Sequence, residues 1–101
     1  MARDEASADP VVRRLREEIS DNDLAIIEGI NRRLQLVARL KEYKASRGFA
    51  FVDPEREDWM VQYLVRANRG PLSSDALRAI FGAILELTKA EVERAEASRK
   101  V

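Results

Sequence analysis

From Val11 to about Arg47 the chain runs without proline and with a single glycine, Gly29. Apolar residues recur through this stretch at helical spacing. The pattern predicts one helix of roughly 35 residues, about 50 Å long at 1.5 Å per residue. Globular helices average about a third of that length. The chain has 101 residues in all. The fifty or so that follow the long helix cannot cover its apolar face. A partner helix of similar length is needed, and a second copy of the chain supplies one at least cost.

The remainder also reads as helix. Met1 to Pro10 is a polar stretch ending at a proline, expected as a flexible N-terminal tail (1–10) before one helical domain (11–101). Gly48 is placed to cap the long helix, with Phe49, Phe51 and Val52 tucking back onto it. Asp53-Pro54-Glu55 gives an N-cap, a first-turn proline and an acidic first turn, opening a second helix from Pro54 to Ala67. Asn68-Arg69-Gly70-Pro71 is a stop and turn. Ser73 or Ser74 caps a third helix, which carries Leu77, Ile80, Phe81, Ile84, Leu85, Thr88 and Val92 on one face and fades near Arg99. No segment alternates like a strand. The fold class is all-α: a three-helix protomer with one long N-terminal helix, paired as a helical homodimer.

Composition narrows the chemistry. Eighteen basic and eighteen acidic side chains give a formal net charge of zero. Nucleic-acid binding and a polybasic membrane contact are therefore disfavoured. Histidine and cysteine are both absent. Metal sites of the usual zinc kinds, Ser-His-Asp triads and thiol nucleophiles are excluded with them. No apolar run reaches the roughly 20 residues of a membrane span. No apolar signal-peptide core follows Met1, so the cytoplasm is the expected compartment.

Polar residues on the apolar face of the long helix carry the functional signal. One stripe combines Ile19, Ile26, Arg33 and Leu40 with Arg16, Asp23, Ile30, Val37 and Lys44. Three cations, Arg16, Arg33 and Lys44, stand among aliphatic residues. Such a cation costs several kcal/mol unless it snorkels to water or meets an anion. Arg33 and Lys44 are separated by about 16 Å along the axis, so both can reach one small ligand. Arg16 is about 25 Å from Arg33 and cannot join them from the same chain. In an antiparallel dimer the partner's copy can. The pattern suggests an intersubunit pocket for a small polyanion. In the second helix, Asp53 and Glu55 are accounted for by capping. Arg56 opposes the helix dipole there, and a nearby anion would relieve it.

These residues resemble the all-helical AroQ class of chorismate mutases. The likeness spans about Val12 to Glu93. Its pieces are Leu15-Arg16-Glu17-Glu18-Ile19 with Asp23, Asn31-Arg32-Arg33, Lys41-Glu42-Tyr43-Lys44, and Asp53-Pro54-Glu55-Arg56-Glu57. The joint spacing of Arg16, Arg33, Lys44, Arg56 and Glu57 needs no gap. Gly70-Pro71-Leu72 with Ile80-Phe81 is similar to members that stand alone or are fused to the first synthase of the shikimate pathway.

The resemblance implies an intertwined homodimer with two shared sites and the rearrangement of chorismate to prephenate, a step of phenylalanine and tyrosine biosynthesis. It implies no cofactor and no metal. By position, Arg16 would cross from the partner to one substrate carboxylate, and Arg33 would bind the other carboxylate or its neighbour. Lys44 would hydrogen-bond the ether oxygen. Asp53, Arg56 and Glu57 would line the pocket, with Glu57 near the ring hydroxyl. Thr88 would touch a carboxylate. Where the family usually has Gln or Glu as a second donor to the ether, this chain has Val92, with Glu91 beside it. That departure leaves room for activation by the first shikimate-pathway synthase. Two alternatives stand beside this reading. One is an isochorismate pyruvate lyase on the same fold; the other is a non-catalytic helical dimer or regulatory subunit.

Overall fold

The long helix is present and uninterrupted. A computed structural model describes residues 2–99 and orders them as α1 (Ala2–Ala8), α2 (Pro10–Ser46), α3 (Pro54–Ala67) and α4 (Ser74–Arg99). Met1, Lys100 and Val101, the ends of the expected tail and helical domain, lie outside the described residues. No strand occurs among those described. They form a first compact unit ending at Arg33 and a second beginning at Leu34, with the boundary inside α2.

Part of the stretch expected as a tail has regular structure. Ala2–Ala8 is helical. Alanine, arginine and glutamate dominate the segment and are strong helix formers. Pro10 then acts as a boundary between two helices. Asp9 caps the second of them: its Oδ1 accepts from the N–H of Val11 at 2.8 Å and of Val12 at 3.2 Å. Pro10 occupies the first helical position, where a missing N–H costs nothing.

The second unit follows the cap signals closely. At Gly48 the backbone turns left-handed, with φ +73°. Phe49 N–H donates to the Lys44 carbonyl at 2.8 Å, and Gly48 N–H to Ala45 at 3.2 Å. These are the paired bonds of a Schellman ending. Asp53 Oδ1 accepts from Arg56 N–H at 3.1 Å and opens α3. Asn68 closes α3 and holds the next turn, accepting from Gly70 N–H and donating to the Leu72 carbonyl. Ser73, the first of the two candidate caps, accepts from Ala76 N–H at 3.1 Å.

Within the second unit α3 packs on α4. The buried residues are Leu77, Thr88 and Val92, all on the expected face of α4. Phe81, Ile84 and Leu85 are half-buried beside them. Ile80 is a correction: it is 46% exposed. At 100° per residue it stands about 90° from the centre of the stripe. Phe49 and Val52 are corrections too. Both stay exposed, and only Phe51 of that trio tucks in, under Lys41 Nζ at 4.9 Å from its ring centroid. Lys41 also pairs with Glu96 at 3.0 Å, joining α2 to α4.

No residue of α2 is buried. Ile19, Leu24, Ile26, Ile27, Leu36 and Leu40 each expose 45% or more of their surface. Fully burying such a side chain contributes roughly 1.5–3 kcal/mol, so each half-exposed one forgoes about half of that. One chain does not cover its own apolar stripe.

Candidate active site

The residues expected to hold a dicarboxylate divide between the two units. Arg16 and Arg33 belong to the first. Arg16 is exposed, and its Nη1 donates to Ser7 Oγ at 3.4 Å, the length of a weak bond. That contact explains a cation on the stripe only in part, because a neutral hydroxyl does not neutralise it. Arg33 is half-buried on the same helix.

The second unit contains Lys44, Asp53, Arg56, Glu57, Thr88 and Val92. Lys44 is half-buried in the last turn of α2, and Nζ donates to the Phe51 carbonyl at 3.3 Å. That bond sets the ammonium against the segment entering α3. Asp53 is spent on capping α3, as described. Arg56 finds a partner that its place in the sequence does not reveal. Its guanidinium lies 4.3 Å from the Trp59 ring centroid. Trp59 in turn stacks on Tyr63 at 5.2 Å, the rings 6° from parallel. A cation over an indole face is stabilised without any anion, so the dipole penalty at Arg56 does not by itself require a ligand.

Glu57 points from the first turn of α3 to α4. Lys89 Nζ stands 3.3 Å from its Oε1. This pair links α3 to α4, one residue after Thr88 in the chain. Thr88 is 4% exposed and donates to the Ile84 carbonyl at 2.6 Å. Sequence reasoning misses Lys89 because a lysine on a charged helix face carries no local mark.

Val92 is 4% exposed. It lines an open cleft of about 250 Å³ with Leu34, Gln35 and Ala38 of α2 and Glu91, Arg94 and Ala95 of α4. Glu91 is held by Arg94 on its own helix: its Oε2 accepts from Nε at 2.7 Å and lies 2.7 Å from Nη2. As a carboxylate in that pair it accepts and does not donate. No cluster of three or more His, Cys, Asp or Glu among the described residues could hold a metal ion.

Taken together, the second unit offers an ammonium at Lys44, a stacked guanidinium at Arg56 and a carboxylate at Glu57. The first adds two guanidiniums. Cations of this kind are suited to binding an anion rather than to nucleophilic attack.

Known proteins bear on this arrangement. Residues 15–93 match the family described as chorismate mutase type II. The bifunctional chorismate mutase/prephenate dehydratase of Pseudomonas aeruginosa is 34% identical over 76 residues, covering 70% of this chain and 21% of that protein. The chain thus spans about a fifth of that relative's length. Two solved structures of chorismate mutase from Thermus thermophilus share the fold. Form I superposes with a TM-score of 0.73 at 27% identity, covering 76% of this chain and 96% of its own. Form II gives 0.76 at 28% identity, covering 82% and 94%. With the family matched from Leu15 to Glu93 and the helical architecture shared, the chain belongs to the type II chorismate mutases, a family of isomerases.

Proposed function

We propose that the chain converts chorismate to prephenate as a homodimer whose two sites are each shared between chains. One observation carries the reading. Arg16, Arg33, Lys44, Arg56 and Glu57 all fall inside the matched stretch, at the gapless spacing that the sequence resemblance gave them. The uncovered apolar stripe of α2 supports the dimer. No helix among the described residues is long and apolar enough to cross a membrane, and the cytoplasm is the proposed compartment.

The chemistry asks little of the residue inventory. The rearrangement is unimolecular: one carbon–oxygen ether bond breaks as one carbon–carbon bond forms, and no atom enters or leaves. Neither a nucleophile nor a metal is needed. The work is to hold the dicarboxylate in its compact, reactive conformer. In this proposal Arg33 and the partner's Arg16 grip the two carboxylates, each in a bidentate geometry that lysine could not match. Lys44 meets the negative charge that grows on the ether oxygen, and Thr88 helps hold a carboxylate. Glu57 accepts from the ring hydroxyl, and Asp53, Arg56 and Val92 border the pocket.

The test is an absorbance assay of purified chain with chorismate, and separately with isochorismate. Loss of chorismate with formation of prephenate supports the reading. Release of pyruvate from isochorismate, with chorismate untouched, replaces it by the lyase. Inertness toward both makes the chain a non-catalytic dimer. The first synthase of the shikimate pathway is the proposed activating partner, and its addition raises kcat in the same assay.

A further inference from the structure

Lys89 has no role in the mechanism above, yet it is the residue that joins Glu57 to α4. Its ammonium lies 3.3 Å from Glu57 Oε1 and 3.9 Å from Glu86 Oε1. The two contacts differ in setting. The Glu86 side chain is 81% exposed and sits one turn back on the same helix, so water screens that pair almost fully. The Glu57 and Lys89 side chains are only 31% and 34% exposed, and their pair links two helices. Lys89 also directly follows Thr88, which is buried.

The proposed reaction puts Glu57 in an awkward place. Its carboxylate would stand beside a substrate that already carries two negative charges, and like charges in one site repel. An accepted hydrogen bond from the ring hydroxyl is useful only if the carboxylate stays put and its charge is balanced. A cation on one oxygen does both, and leaves the second oxygen able to accept. The geometry points to Lys89 as the positioning residue for Glu57: it holds the carboxylate toward α4 and offsets its charge, so that Glu57 orients the substrate ring without repelling the dianion. This rests on the chorismate rearrangement proposed above.

The experiment is a double-mutant cycle read in kcat and KM for chorismate. It compares wild type, Lys89→Met, Glu57→Gln and the double variant, with Lys89→Arg for rescue and Glu86→Gln as the surface control. Lys89→Met lowers kcat/KM about 3- to 5-fold, the size expected of a partly screened pair. In the Glu57→Gln background the same change matters by less than about twofold, because its target is gone. Lys89→Arg restores most of the loss and Glu86→Gln changes nothing. Helical circular dichroism melts accompany each variant, and Lys89→Gln substitutes if Lys89→Met does not fold. Equal losses in both backgrounds, or no loss from Lys89→Met in an active enzyme, overturn the inference alone. A wild type that leaves chorismate untouched overturns the proposed reaction and this inference with it.

Discussion

Lys44 donates to the carbonyl of Phe51 at 3.3 Å, so the cation proposed for the ether oxygen also ties the last turn of α2 to the entry of α3. The two roles separate by magnitude. A hydrogen bond from a charged donor contributes roughly 1.5–3 kcal/mol to stability, and one as long as 3.3 Å falls at the lower end. A donor to charge developing in a transition state contributes about 3–4 kcal/mol, or ~10²–10³ in rate. Lys44→Met should therefore lower kcat by about 10²–10³ while the melting temperature falls by the equivalent of only about 1.5 kcal/mol. A kcat within tenfold of wild type, in a folded protein, would remove Lys44 from the reaction.

Dimerisation is expected to be obligate. The exposed aliphatics of α2 extend through both of its parts, from Ile19 to Leu40, and need a cover of matching length. Sedimentation equilibrium at micromolar concentration should give a dimer. A well-folded monomer under those conditions would refute the shared site as well.

Sharing has its own signature. Mixing an Arg16→Ala chain with an Arg33→Ala chain under exchange conditions should rebuild one intact site in each heterodimer. Random pairing of two-fold dimers then returns roughly a quarter of wild-type activity from two nearly inactive stocks. No recovery after demonstrated exchange means that Arg16 does not act in trans.

Gly48 tests the fold apart from catalysis. Its φ is +73°, and an added Cβ would meet nothing within 4 Å. Only backbone conformation opposes a side chain there. Gly48→Ala should cost about 1–2 kcal/mol in denaturant unfolding, with kcat unchanged. A neutral or stabilising result would mean that the turn relaxes out of the left-handed region.

The helix ends are legible in the sequence and the contacts between helices are not. Asp53-Pro54 and Gly48 mark their helix ends because capping is a local affair of three or four residues, and the structure puts α3 at the expected bounds. Ala2–Ala8 escapes sequence reading because Pro10 looks like the end of a tail, whereas Asp9 caps α2 in front of it. The cation stripe of α2 is visible as an anomaly of pattern. Trp59 beneath Arg56 and Lys89 against Glu57 are not. The first needs a rotamer and the second a packing of α3 on α4, and neither leaves a mark in the spacing of residues along the chain.

Val92 is the position at which the proposed site departs from the family resemblance. The family resemblance expects a second donor to the ether at this position, and valine has none to give. Glu91 beside it is paired with Arg94 of its own helix at 2.7 Å, and a carboxylate so paired accepts rather than donates. Lys44 is then the one proposed donor to the ether. Val92→Gln introduces an amide N–H₂ where the side chain is now 4% exposed. If that amide reaches the ether oxygen, the gain belongs to the transition state and not to the ground state, so kcat rises and KM hardly moves. Up to ~10²–10³-fold is available from one such donor. The same change buries a polar group in the absence of substrate and should cost about 1–3 kcal/mol of stability. The expected outcome is therefore a faster and less stable enzyme, measured by steady-state kinetics and by thermal melting of the same preparation. Glu91→Gln, by contrast, should leave kcat near wild type. A Val92→Gln protein that melts lower yet turns over no faster would show that Val92 only packs between α4 and α2, and that the ether is served by Lys44 alone.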